Sequence, residues 1–120
     1  MSVKHADAVE KKNVAAGKDT TIQVLISAQE GPNFALRKFS MQPGGGMPRH
    51  TNTVEHEQYV FRGHARIGIG DDIHEVRAGD VVFIPDGIVH FYENISDEPF
   101  EFLCIVPNKL DEIKIIQEAC

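Results

Sequence analysis

The chain has 120 residues, 42% hydrophobic and 25% charged, which suits one compact domain with one core and excludes disordered, collagen-like and disulfide-dense classes. Twelve basic against 18 acidic side chains give a formal net charge of -6, which opposes a phosphate backbone, so nucleic acid is not an expected partner. No apolar run reaches the roughly 20 residues that cross a bilayer, and "MSVKHADAVEKK" carries charges where a signal peptide is apolar; the expectation is a cytoplasmic protein without a membrane partner.

The first twenty residues are polar and alternate weakly, so they are expected to add an edge strand or to pair with a second subunit. Strands are then predicted in order at Thr21–Ala28, Phe34–Gln42, Glu57–Gly63, Ala65–Ile69, Ile73–Val76, Val81–Pro85, Val89–Asn94 and Phe100–Val106, all rich in β-branched and aromatic residues. Turn chemistry separates them: hairpins are read at Gly70–Asp72, at Ala78–Asp80 and at Ser96–Pro99. After Pro107, Asn108 is placed to cap a short C-terminal helix, with Asp111 in its first turn and Leu110, Ile113 and Gln117 along one face beside Ile116. Cys104 sits inside a hydrophobic run and Cys120 is the last residue, which is not a disulfide framework; reduced thiols are expected.

Two segments carry candidate chemistry, "GGGMPRHTNTVEHEQYVFRG" (44–63) and "GDVVFIPDGIVHFYEN" (79–94). In the second, Gly79, Pro85, Gly87, His90 and Asn94 fill every slot of the pattern Gly, five residues, Pro, one, Gly, two, His, three, Asn, and on these residues the chain resembles the cupin superfamily. In that family's first motif Gly44, His50 and Gly63 are in register, while Asn52 takes the second His slot and His56 the Glu slot. His at the Glu slot is similar to a small single-domain bacterial subgroup, often written "WEHE" where this chain has "VEHE", in which four histidines bind a metal; Asn52 departs even from that subgroup. The resemblance also takes in the "PNF" lead-in and the "EFLCIVP" exit, from about Pro32 to Pro107.

The resemblance implies an all-β fold, a double-stranded β-helix (jelly-roll) barrel of six to ten strands, with the short helix following it. It also implies a homodimer and one divalent transition metal (iron, manganese, nickel, zinc or copper) on His50, His56 and His90, with Asn52 either bound loosely or hydrogen-bonded to a metal water. Strand alternation agrees with that convergence, because every second side chain of a barrel strand points inward. Parity places Gln58 and Val60 inward with His56, Tyr92 with His90, and Phe102, Cys104 and Val106 together on the last strand; Glu57, His5, His64 and His74 are read as outward. Arg37 shares parity with Ala35, Phe39 and Met41. Directed inward it would meet an anionic substrate or a carboxylate partner; the alternative is a side chain snorkelling from the barrel mouth.

Gly44, Gly45 and Gly46 are expected to take positive dihedrals, as are Gly79 and Gly87. The subgroup resemblance implies a pocket of Arg37, Met47, Tyr92, Phe102, Cys104 and Val106. The functional expectation is a metal-dependent enzyme on a small organic molecule, with oxygenase chemistry ahead of isomerase or hydrolase chemistry, Arg37 orienting an anionic group and Tyr92, Phe102 and Cys104 shaping the pocket. The alternatives are a non-catalytic ligand-binding, sensor or accessory protein, favoured by Asn52, and a metal-free barrel.

Overall fold

The computed structural model describes residues 2–117. Ten strands follow a single 3-10 turn at Ala6–Ala8: β1 (Lys12–Asn13), β2 (Lys18–Ile26), β3 (Phe34–Thr51), β4 (His56–Arg62), β5 (His64–Ile69), β6 (Asp72–Arg77), β7 (Val81–Ile84), β8 (His90–Asn94), β9 (Phe100–Pro107) and β10 (Lys114–Gln117). All pairings are antiparallel, in the order β6-β5-β8-β3-β9-β4-β7, with β2 and β10 added on β3 and β1 on β2. The expected jelly-roll barrel is what the chain builds.

The 18-residue β3 is the hinge of this arrangement. Its first half, Phe34 to Met41, pairs with β9 and β2, whereas Gly46 to Thr51 pairs with β8 and β10. One strand therefore belongs to both layers, β7-β4-β9-β3-β2 and β6-β5-β8-β3-β10. The sequence reading ended this strand at Gln42, because Pro43 and three glycines look like a loop. Between Met41 and Gly46 the register with β2 slips, and such an irregularity bends a strand without ending it. Of the three glycines only Gly44 has a positive φ, of 81°. Gly45 and Gly46 are required for another reason: a Cβ on Gly45 would lie 2.6 Å from the Lys18 carbonyl, and one on Gly46 would collide with the Tyr92 carbonyl across the β3–β8 pair.

Alternation sets the inside. In β4, His56, Gln58 and Val60 are buried while Glu57, Tyr59 and Phe61 are exposed; in β9, Phe102, Cys104 and Val106 point inward as parity required. Phe102 stacks on Phe39 of its own layer at 5.2 Å and on Tyr92 of the facing layer at 5.3 Å, joining the two sheets. The buried Glu101 breaks the alternation of β9 and is held by Lys38 at 3.5 Å and Arg62 at 3.4 Å.

Besides the length of β3, three expectations are corrected. The C-terminal helix does not form: Lys114–Gln117 is a strand, with Lys114 opposite Thr51 and Ile115 opposite His50. The Asn108 side chain donates to the Gly31 carbonyl instead of capping a helix, a segment this short is a marginal helix on its own, and the open edge of β3 offers "KIIQ" a ladder. Of the three predicted hairpins only Gly70–Asp72 is one, joining the paired strands β5 and β6. The turns at Ala78–Asp80 and Ser96–Pro99 instead carry the chain between strands that do not pair with each other. Third, positive φ does not extend to Gly45 and Gly46, although Gly79 (99°) and Gly87 (77°) have it. Cys120 lies outside the described residues. No helix among the described residues is long and apolar enough to cross a membrane.

Candidate metal centre

His50 stands in the second half of β3 and His90 opens β8, opposite each other in register, so their rings lie side by side at 4.1 Å between centres. His56 opens β4 in the facing layer, 5.8 Å from the His90 ring. Asn52, one residue past the end of β3, is also buried. The three predicted histidine ligands are thus gathered from three strand ends, and Asn52 follows His50 by two residues, on the same parity. Two imidazoles sharing an ion at about 2.1 Å have ring centres about 5 Å apart, and the two observed spacings bracket that value.

The tautomers follow from partners that can only accept. His50 Nδ1 donates to the Pro48 carbonyl at 2.7 Å and His90 Nδ1 to the Ile88 carbonyl at 3.0 Å, which leaves each Nε2 with a bare lone pair whenever the ring is neutral. Both rings are held neutral. Burial lowers His50 below the ordinary value of 6.5, and burial together with the neighbouring His50 takes His90 down to about 4. His56 is pulled to about 3 by burial, then by the Arg37 guanidinium and the other two imidazoles.

Arg37 points inward. Its Nη2 lies 3.2 Å from His56 Nδ1 and 3.3 Å from Cys104 Sγ, and the guanidinium sits over the Phe39 ring. His56 Nδ1 is also 3.2 Å from Cys104 Sγ. For Nε2 of His56 to carry a lone pair, its Nδ1–H must donate to the sulfur, with Arg37 donating to the sulfur as well. The buried thiol is raised by burial and stays protonated at neutral pH. Gln58, named earlier only for its parity, donates to the Tyr92 hydroxyl at 2.6 Å and reaches Cys104 Sγ at 3.7 Å. Burial, and after it Cys104, raise the Tyr92 phenol, so it remains neutral and acts as a wall and hydrogen-bonding group. Met47, Phe102 and Val106 are buried core residues, with Met47 opposite Tyr92 in register. His5 and His74 are exposed and His64 half-buried, away from the cluster.

Among the described residues, four buried side-chain atoms have no hydrogen-bond partner: Arg37 Nε, Asn52 Oδ1, His56 Nε2 and Gln58 Oε1. Native interiors leave few such atoms, and here Arg37, His56 and Gln58 all contact Cys104, while Asn52 follows His50 by two residues. A cation would satisfy Asn52 Oδ1 and His56 Nε2, so the donor set fits a transition metal. The rings are gathered but not closed: among the described residues no three His, Cys, Asp or Glu side chains already stand in ligating positions around one point. Two open depressions, of 830 and 420 Å³, lie elsewhere, against Gly44–Arg49 and between β6 and β7. Neither is lined by the imidazoles, though Met47 and Tyr92 line the larger.

A sequence model of the Cupin_2 family, described as "Cupin domain", matches residues 37–106. The chain belongs to the cupin family. This cupin is 37% identical over 86 residues to an oxalate decarboxylase of Bacillus subtilis (strain 168), an alignment covering 62% of the chain and 22% of that protein; the chain spans about a fifth of that curated relative. Its fold is similar to the polyketide cyclase RemF from Streptomyces resistomycificus, with a TM-score of 0.90 at 28% identity over 99% of this chain and 87% of the other. It also resembles Rru_A2000 from Rhodospirillum rubrum, a cupin-2 domain, with a TM-score of 0.83 at 26% identity over 98% and 81% of the two chains.

The residue the sequence reading missed is Asp111. It was placed in the first turn of a helix, and its carboxylate instead accepts from the Asn52 amide at 3.1 Å. Nothing local in "NKLDEIKII" signals that contact, because it depends on the pairing of β10 with β3.

Proposed function

We propose that this cupin holds one divalent transition metal on His50, His56 and His90, with the Asn52 carbonyl oxygen as a fourth, weaker donor, and acts on a small anionic organic molecule. The observation that carries this reading is the gathering of three imidazoles with His56 Nε2 and Asn52 Oδ1 buried without a partner. An ion there would supply Lewis-acid or redox chemistry at its open positions, and oxygenase-type turnover remains the preferred class over isomerase or hydrolase turnover.

The protein's own residues set the rest. Arg37 has no ion pair to a carboxylate among the described residues, so its half-buried charge is available to a carboxylate or enolate of the substrate. Its plane is set against the Phe39 ring and its Nη2 donates to Cys104 Sγ. Tyr92, Phe102 and Cys104 wall the space and exclude water. The oxalate decarboxylase relative supports a carboxylate substrate, and the polyketide cyclase relative a carbonyl-rich one.

Metal analysis of protein purified without chelators tests the reading. About one equivalent of transition metal per chain is expected, and it should be lost in His56→Ala; the same metal content in wild type and variant would remove His56 from the site. Turnover of small carboxylic acids, diketones, thiols and phenols, with and without dioxygen, then separates an enzyme from the second reading, a non-catalytic ligand-binding cupin. That second reading is favoured by the open arrangement of the three rings. We infer further that the cupin pairs with a second copy through the outer face of β4, β7 and β9, where Tyr59, Val81, Phe83 and Ile105 present adjacent apolar side chains to solvent.

A further inference from the structure

After β9 the backbone turns back past the end of β3 and brings Asp111 beside Asn52 before β10 begins. Asp111 is half-buried and fully engaged. Its Oδ2 and Oδ1 accept from Asn52 Nδ2 at 3.1 and 3.4 Å, and Oδ1 also accepts from the Thr53 backbone N–H at 3.1 Å. Thr53 fastens the same crossing independently: its hydroxyl donates to the Leu110 carbonyl at 3.0 Å and accepts from the Glu112 N–H at 2.8 Å.

A carboxylate can only accept hydrogen bonds. The NH2 side of the Asn52 amide must therefore face Asp111, and the carbonyl oxygen must face the other way, where it is buried without a partner. Without Asp111 the amide could turn its NH2 toward the imidazoles, presenting hydrogens to a cation in place of a lone pair. Asn52 occupies the slot where the four-histidine pattern has an imidazole. An imidazole held by its own backbone, as His50 and His90 are by Pro48 and Ile88, needs no remote partner, but an amide does.

We infer that Asp111 is a positioning residue of the metal centre, holding the Asn52 carbonyl oxygen toward the ion from a C-terminal segment that no cupin motif covers. The inference rests on the metal reading above and adds to it a dependence of metal affinity on the 108–117 segment. Asp111 has a competing route to the same effect, since its negative charge also acts on His50 and His90. A thermodynamic cycle separates the two.

The experiment titrates chelator-stripped full chain with Co2+, followed by visible absorption, in wild type, Asp111→Ala, Asp111→Asn, Asn52→Ala, the double variant Asn52→Ala/Asp111→Ala, and Thr53→Val. Asp111→Ala should weaken Co2+ binding about 10- to 100-fold and alter the absorption bands, as loss of an orienting partner does. Asp111→Asn, which keeps an acceptor for the amide, should recover most of that loss. In the Asn52→Ala background, Asp111→Ala should change affinity by less than about twofold.

A full loss persisting in that background would mean the charge acts directly on the ion, and the inference falls. It falls equally if Asp111→Ala binds like wild type, or if Thr53→Val, which loosens the segment but leaves the Asn52–Asp111 contact, weakens binding as much. Should Asp111→Ala fail to fold, Asp111→Ser, too short to reach the amide, takes its place in every comparison. Wild-type protein that binds no Co2+ would overturn the metal reading itself, whereas binding by wild type with no effect at Asp111 overturns only the inference.

Discussion

Three buried imidazoles resist protonation, and this has a sign in pH. His56 and His90 lie at about 3 and about 4 in the folded chain, against 6.5 for an ordinary histidine, and His50 is lowered too, in each case chiefly by burial. Between these values the unfolded chain binds more protons than the folded one, so stability rises with pH. It is fully present above about 6.5 and is lost as pH falls toward about 4 and then 3. Glu30, lowered to about 2 by Lys4 and the Ser27 backbone, acts in a separate window below 4.5. Urea unfolding of metal-free protein should therefore show stability falling from pH 7 to pH 4.5, before the Glu30 window opens. A His90→Gln variant should lose less over that range; an equally steep fall in the variant would mean that His90 is not held neutral in the folded chain.

At the scale of the element, β3 decides whether the site exists. Its bend at Gln42–Gly45 moves His50 from the layer of β9 to the layer of β8, beside His90 and across from His56. Gly46 lies at the crossing point, where a Cβ meets the Tyr92 carbonyl backbone and cannot be relieved by a side-chain rotation. Gly46→Ala should cost about 1–3 kcal/mol in chemical denaturation, the usual penalty of overpacking. It should also weaken metal binding through the displaced β8. A variant as stable as wild type would show that the two strands can part without loss. The short strands β4 to β9 were readable from alternation to within a residue or two, because half-buried strands display their period. The continuity of β3 and the strand at Lys114–Gln117 were not, since Pro43 and three glycines imitate a loop and an isolated "KIIQ" has no period long enough to tell strand from helix.

For the whole molecule, the outer face of β4, β7 and β9 exposes adjacent large apolar side chains: Val81 is 78% exposed, Phe83 57% and Tyr59 48%. Strand β7 ends the sheet order, so its unpaired edge adjoins this face. A second copy of the chain would cover both. Sedimentation velocity should find a dimer that a Phe83→Glu variant converts to monomer, and a wild-type monomer at tens of micromolar would remove the pairing.

The parity of His56, Gln58, Tyr92 and Cys104 was determined by sequence alone, because spacing in a strand is geometry already, and the jelly-roll class came with the family resemblance that the histidine motif carries. Arg37 stood at a choice that sequence left open, and tertiary packing resolved it by closing Phe39, His56 and Cys104 around the guanidinium. The partnership of Asn52 with Asp111, 59 residues later, belonged wholly to the fold. Contacts of that span arise only when a strand finds its edge, and no local periodicity records which edge it will find.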